Sequence, residues 1–222
     1  MSENLSEREI ITDIDSLGGF SDVIDPTKES KLVQGTIIRL KQLIRDNNLT
    51  YLTAPQIGVD KQIVVMNFNG DLRSFVNPII TKAEGLTLAR EHCASIPGKE
   101  YIRPRNTKVT LAYTTPLGKV ESRQFIGMAA TICQHCIDHL NGVLLCDIGL
   151  EIDKDFDNAT DEEREEVIKA YMDSLDIKRK EVMKEIEEDE TLKQTYDAVD
   201  FMNKVRTGEV KIVSDEELAK KK

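Results

Sequence analysis

The 222-residue sequence holds three histidines, and they fall in two short segments that each contain a cysteine. "EHCASIPG" carries His92 and Cys93, and "QHCIDH" carries His135, Cys136 and His139. Side chains four apart on an α-helix meet on one face, with about 5–6 Å between their Cβ atoms. If the second segment is helical, His135 and His139 can share one ion. Zinc-type sites take nitrogen and sulfur ligands, and catalytic ones use three protein ligands plus an open position. The third ligand then comes from elsewhere in the chain, and Cys93 is the best candidate. The other reading of the pattern is two helix histidines packed in a core.

Helical phase sorts the remaining thiols. At about 100° per residue, Cys136 lies about 60° from His139 and borders the ligand face, whereas Cys133 points about 160° away from His135. Cys133 and Cys146 are expected as small core residues. In helices of the HExxH type a glutamate follows the first histidine as general base. Here that position is Cys136.

The elements that must position these groups follow from periodicity. "DPTKESKLVQGTIIRLKQLIRDNN" reads as a helix with Pro26 near its start, apolar residues at three- and four-residue spacing, and a stop at Asn47–Asn48. "KQIVVMNFNGDLRSFVNPII" holds two β-rich runs around Asn69–Gly70, a hairpin signal, and "NTKVTLAYTTPLGKVESRQFIG" repeats the design around Pro116 and Gly118. Gly127 to Leu140 is apolar, helix-compatible and closed by Asn141–Gly142. Strands followed by a helix, without βαβ alternation, predict an α+β fold.

Composition changes near Asp153. Residues 151–222 carry 23 acids against 14 bases, a net of −9, while residues 1–150 carry 17 against 16. The expected organisation is a body over 1–150 and an acidic helical extension over 151–222. That extension reads as two or three amphipathic helices with a break at Glu187–Glu190. A neutral body and an acidic extension exclude a nucleic-acid binder, which needs a basic face. No stretch reaches 18 apolar residues and no basic flank precedes an apolar run, so neither membrane span nor signal peptide is expected. The cytoplasm is the expected location, with all four cysteines reduced.

Three segments, in order and at matching spacing, resemble the motifs of peptide deformylases. "LTYLTAPQIG" is similar to GxGxAAPQxG, "EHCASIPG" to EGCLSxPG, and "QHCIDHLNGVLL" to QHExDHLxGxLF, supported by "FVNPII" and "RPR". The resemblance covers roughly residues 20–150. It implies antiparallel sheets around a central metal-binding helix, with Cys93, His135 and His139 as ligands of one divalent ion. That ion is Fe²⁺ in the family, with Zn²⁺, Ni²⁺ or Co²⁺ as substitutes. It implies that Gln56 and the Ala94 backbone N–H polarise the formyl oxygen of an N-formyl-methionyl peptide. Position 136 is then the general acid–base, and the family's glutamate is replaced there by Cys136.

Other departures are Leu49 and Tyr51 at family glycines, which should narrow the substrate groove, His92 at another glycine, and Ala94 at a leucine. His92 adds a further possible ligand. Glu91 is an alternative proton carrier, and Asp138 is expected as a structural ion pair. The reading is a deformylase-like hydrolase whose activity is weakened or lost. The alternatives are a non-catalytic metal-stabilised scaffold whose acidic extension binds a protein, and a sensing module built on Cys93 and Cys136.

Overall fold

The run Ile63-Val64-Val65-Met66 shows no polar alternation, as a strand covered on both faces requires. The structure, a computed structural model, describes residues 9–190 and 193. Helix α1 (Ser30–Asp46) leads into strand β1 (Tyr51–Thr53), a 3₁₀ turn (Pro55–Ile57) and β2 (Ile63–Phe68). Then come β3 (Asp71–Glu84), β4 (Thr87–Cys93), β5 (Ile96–Arg105), β6 (Lys108–Thr114) and β7 (Val120–Ile126). Helix α2 (Met128–Leu140), a short α3 (Leu145–Ile148), β8 (Leu150–Ile152), α4 (Lys154–Asn158) and α5 (Asp161–Glu188) follow.

The strands form two sheets, one in the order β1-β2-β3-β6-β7 and one in the order β4-β5-β8, with every pair antiparallel. Along β2, side chains alternate between two cores. Ile63 and Val65 join Val33, Ile37, Leu40 and Ile44 of α1, whereas Val64 and Met66 join Ala130, Cys133, Cys136 and Leu140 of α2. The larger sheet therefore lies between the two helices. The β2–β3 turn is Asn69–Gly70, both at positive φ (54° and 94°), the two-residue turn that matches the twist of paired strands. The antiparallel sheets around a buried central helix are the α+β arrangement expected.

Helix α2 is buried on most sides, from Ala130 to Leu140. Its apolar side packs on the large sheet. Its other side faces β5 and the loop after it, where the Gln134 side chain accepts from the Asn106 backbone N–H and donates to the Asn106 carbonyl, both at 2.9 Å. Behind its C-terminus, Gly142 has φ 71°, and a Cβ there would lie 2.7 Å from the Gly18 backbone. Only glycine fits so close an approach at that dihedral.

One sequence expectation is corrected, and one strand pair adds to the sequence reading. Cys146 is exposed rather than part of a core. Residues 87–105, not expected as strands, form the β4–β5 pair that carries Cys93. Among the described residues the extension holds one long helix, α5, which runs up to the expected break. Its start is fixed by Thr160, whose hydroxyl accepts from the Glu163 N–H while Glu163 accepts from the Thr160 N–H. The break does fall at Asp189, which is extended. The expected helices beyond it lie outside the described residues.

The chain divides into two compact units between Ala159 and Thr160. In the second, α5 buries no residue fully; Ile168, Tyr171, Met172, Leu175, Met183 and Ile186 form its partly buried stripe. No described helix is long and apolar enough to cross a membrane.

Candidate metal centre

Strand alternation and helical period deliver the donors. Along β4, Glu91 and Cys93 point inward and His92 between them points out, as the two-residue period of a strand demands. On α2, His135 and His139 stack one turn apart with ring centroids 5.0 Å from each other. The Cys93 Sγ lies 3.2 Å from His139 Nε2. Ligand atoms from Cys93, His135 and His139 all fall within 4.8 Å of one another, and all three residues are buried.

Gln56, on the 3₁₀ turn, is fully buried. Its Oε1 accepts from the Thr53 backbone N–H at 3.0 Å and lies 3.2 Å from the Thr53 hydroxyl, which fixes which end of the amide is oxygen. The Nε2 is thereby turned toward Ser95 Oγ (3.1 Å) and Cys93 Sγ (3.8 Å). An N–H donor thus stands beside the thiol without any rearrangement.

A buried ionic network holds the first histidine. His135 Nδ1 meets Glu91 Oε2 at 2.8 Å. Arg105 donates to both Glu91 oxygens, at 2.6 and 2.9 Å, and to Asp138 Oδ2 at 2.6 Å. Arg103 reaches the same Asp138 oxygen at 2.5 Å. Burial pushes the Glu91 carboxyl up, but the hydrogen bonds from His135 and Arg105 outweigh it and leave Glu91 below the usual range. Its carboxylate faces Nδ1, leaving Nε2 directed at the donor cluster. Histidine ligands of metals commonly carry such a carboxylate on the far nitrogen, which fixes tautomer and ring orientation.

The other expected site residues fall as follows. Ala94 is partly buried in the turn between β4 and β5. The Cys136 side chain lies in the apolar cluster with Met66, Phe75 and Leu111, and burial pushes its thiol well above the usual range. His92 is exposed, 3.3 Å from Glu100 and away from the donor group, so it is no further ligand. Asp138 is an ion pair with the two arginines. Leu49 packs against the α1 cluster. Tyr51 does more than fill space: its hydroxyl lies 2.8 Å from the His92 carbonyl oxygen and 3.0 Å from His135 Nε2. Arg105, Ser95 and the Tyr51 contact have no signature in the sequence beyond the "RPR" and "CAS" strings, because each depends on which strand faces α2.

The donor set suits a transition-metal ion. Burial, with His135 and Arg105 nearby, pushes His139 down to about 3, so its ring is a neutral lone-pair donor at neutral pH. Burial pushes the Cys93 thiol up, against Ser95 and Ile96 backbone N–H groups that favour the thiolate. A bound divalent ion reverses that balance and deprotonates the thiol. Two imidazoles and one thiolate, screened from water, match the nitrogen and sulfur preference of zinc-type and ferrous sites.

Residues 16–154 match the family model for polypeptide deformylase. A peptide deformylase from Dictyoglomus turgidum is 30% identical over 130 residues, covering 55% of this chain and 85% of the relative. One from Pseudothermotoga lettingae is 41% identical over 98 residues, 44% of this chain and 57% of the relative. Among solved structures, a peptide deformylase from Synechococcus elongatus in complex with actinonin superposes with a TM-score of 0.59 at 28% identity, covering 64% of this chain and 78% of that one. A peptide deformylase from Legionella pneumophila has the same TM-score at 26% identity, covering 78% and 97%. With the metal-capable group and the fold in agreement, the chain belongs to the polypeptide deformylase family.

Proposed function

We propose that this chain is a metal-dependent hydrolase of the deformylase type, acting on the formyl group of N-formyl-methionyl peptides, with turnover that is slow or lost. The observation that carries the reading is the convergence of Cys93, His135 and His139 donor atoms within 4.8 Å, beside the Gln56 amide. A divalent ion held by those three residues, Fe²⁺ by family likeness, supplies Lewis acidity and lowers the pKa of water to near 7.

The chain's own groups have separate tasks. Gln56 presents an N–H to the oxygen of a bound formyl group, with the Ala94 backbone N–H as a second donor. A preorganised donor of this kind is worth about 2.7–4 kcal/mol of barrier. Glu91 and Arg105 hold the His135 ring. What is missing is a proton carrier. We read Cys136 as standing where the family has its carboxylate, and a neutral thiol buried among apolar side chains neither takes a proton nor returns one to a departing amine. Losing that help typically costs about 10²–10⁴-fold.

A second reading is a non-catalytic scaffold that the metal stabilises and whose acidic extension, residues 151–222, engages a protein. The burial of the Cys136 thiol favours it. Formyl-methionyl peptide hydrolysis by the metal-loaded protein and its Cys136→Glu variant, with metal content measured in both, separates the two. The variant is expected to turn over at least about 10²-fold faster. Robust native turnover that the substitution leaves unchanged overturns the reading of Cys136. Absence of turnover in both, at full metal content, favours the scaffold.

A further inference from the structure

We propose that the Tyr51 side chain is a latch between the edges of the two sheets, which a peptide must displace to reach the donor cluster. The inference rests on the deformylase-type reading of that cluster. Strand β1 ends the five-stranded sheet and β4 ends the three-stranded one, so each offers an outer edge on which an extended peptide can pair. The β4–β5 register pairs Glu91 with Tyr101 and Cys93 with Ile96, and shifts at His92 between them. The His92 carbonyl oxygen, which can only accept, takes the proton of the Tyr51 hydroxyl at 2.8 Å. Tyr51 stands on β1 opposite Met66. One hydrogen bond therefore spans from the edge of one sheet to the edge of the other.

The latch sits where a formyl group has to arrive. The ring packs edge-on against His135, with centroids 4.8 Å apart. The hydroxyl oxygen also lies 3.0 Å from His135 Nε2, the nitrogen that the Glu91 contact leaves as an acceptor. An ion that takes the Nε2 lone pair leaves the His92 carbonyl as the acceptor of the hydroxyl, so the latch does not depend on an empty centre. A peptide laid along the outer edge of β4 needs that carbonyl for its own backbone N–H. It competes with the phenol for one acceptor and for the space beside His135. Only the open fraction of the protein then binds peptide, and the apparent affinity falls by that fraction. Bound peptide is untouched, so the gain expected of Cys136→Glu at saturating peptide stands.

Calorimetric titration of the zinc-loaded, full-length protein with a methionyl-alanyl peptide, the deformylated product, reads the latch without turnover. Tyr51→Phe keeps the ring and removes the hydroxyl, whereas Tyr51→Ala removes both. The phenylalanine variant is expected to bind about 3–10-fold more tightly than the native protein, the worth of one net hydrogen bond. Unchanged or weaker binding by Tyr51→Phe overturns the latch; a gain confined to Tyr51→Ala would show that only the bulk of the ring matters. The five tyrosines of the native protein give a second readout through ring-carbon labelling and nuclear magnetic resonance. One ring signal should shift at saturating peptide as the phenol leaves His92, and this decides alone if Tyr51→Phe does not fold. No shifted tyrosine signal with peptide bound overturns the proposal. Failure of the native protein and of both variants to bind the peptide overturns the deformylase-type reading itself, and the proposal with it.

Discussion

Replacing Arg105 by methionine should be among the most damaging single changes outside the apolar cores. The Arg105 side chain is 3% exposed and that of Glu91 4%, and the guanidinium makes three charge-assisted contacts within 2.9 Å. Methionine keeps the stem and removes the charge. Asp138 retains Arg103, but Glu91 keeps only His135. Removing one partner of a buried pair leaves an uncompensated charge and costs about 3–5 kcal/mol. We expect a loss near the lower figure, because the imidazole remains. Since total stability is about 5–15 kcal/mol for a typical domain, that shift is readily measured in urea. The chain has no tryptophan, so far-ultraviolet circular dichroism is the natural signal. A double variant, Arg105→Met with Glu91→Gln, removes the stranded charge and should recover most of the loss. A single variant within about 1 kcal/mol of the parent, or a double variant no more stable than the single, would refute the desolvated-charge argument.

Two further outcomes follow from the fold. Burial and the hydrogen bond it donates to Glu151 push the Tyr101 hydroxyl up to about 12, above its ordinary 10.0. Its contribution is whole below pH 10.0 and is lost as pH rises toward about 12, so Tyr101→Phe should flatten the alkaline fall in stability over that window; parallel urea midpoints across it would contradict the shift. Gly142→Ala sets a Cβ 2.7 Å from the Gly18 backbone at φ 71° and should lower stability by more than about 1 kcal/mol, visible as a lower melting midpoint. An unchanged midpoint would mean that the Gly18 segment moves freely.

Much of this architecture is legible in residue order because local chemistry decides it. Asn69–Gly70 can hardly be anything but a tight turn, the α1 stripe has one apolar face, and His135 and His139 meet by helical period alone. The β4–β5 pair is hidden for an equally local reason. Pro97, Gly98 and Pro104 interrupt β5, and charged residues such as Glu91, Arg103 and Arg105 occupy what is in part an inward face. The polarity that disguises the strands as loop is the ionic network holding His135. The extension is legible where it is described, because the Thr160 cap starts α5 and the acidic stretch at Glu187–Glu190 contains its end, with 28 helical residues in α5. Cys146 reads as core by residue type, but its place on a four-residue helix turns it outward. The Tyr51 contact depends on β1 lying across from α2, a long-range fact with no local signature.

Cys93 and His139 are 46 residues apart in the chain and 3.2 Å apart in space. One belongs to the three-stranded sheet and the other to the helix that rides on the five-stranded one. An ion bridging them closes a loop that contains all of β5, β6 and β7, and so acts on the unfolded chain as a disulfide does. By the usual loop-closure relation such a cross-link removes about 4 kcal/mol of chain entropy from the unfolded ensemble. A disulfide answers to the redox poise of its surroundings, whereas this link answers to the concentration of free metal. With an ion bound there, the tethering of the two sheets would be set by metal supply, and a chelator would untie it without breaking a covalent bond.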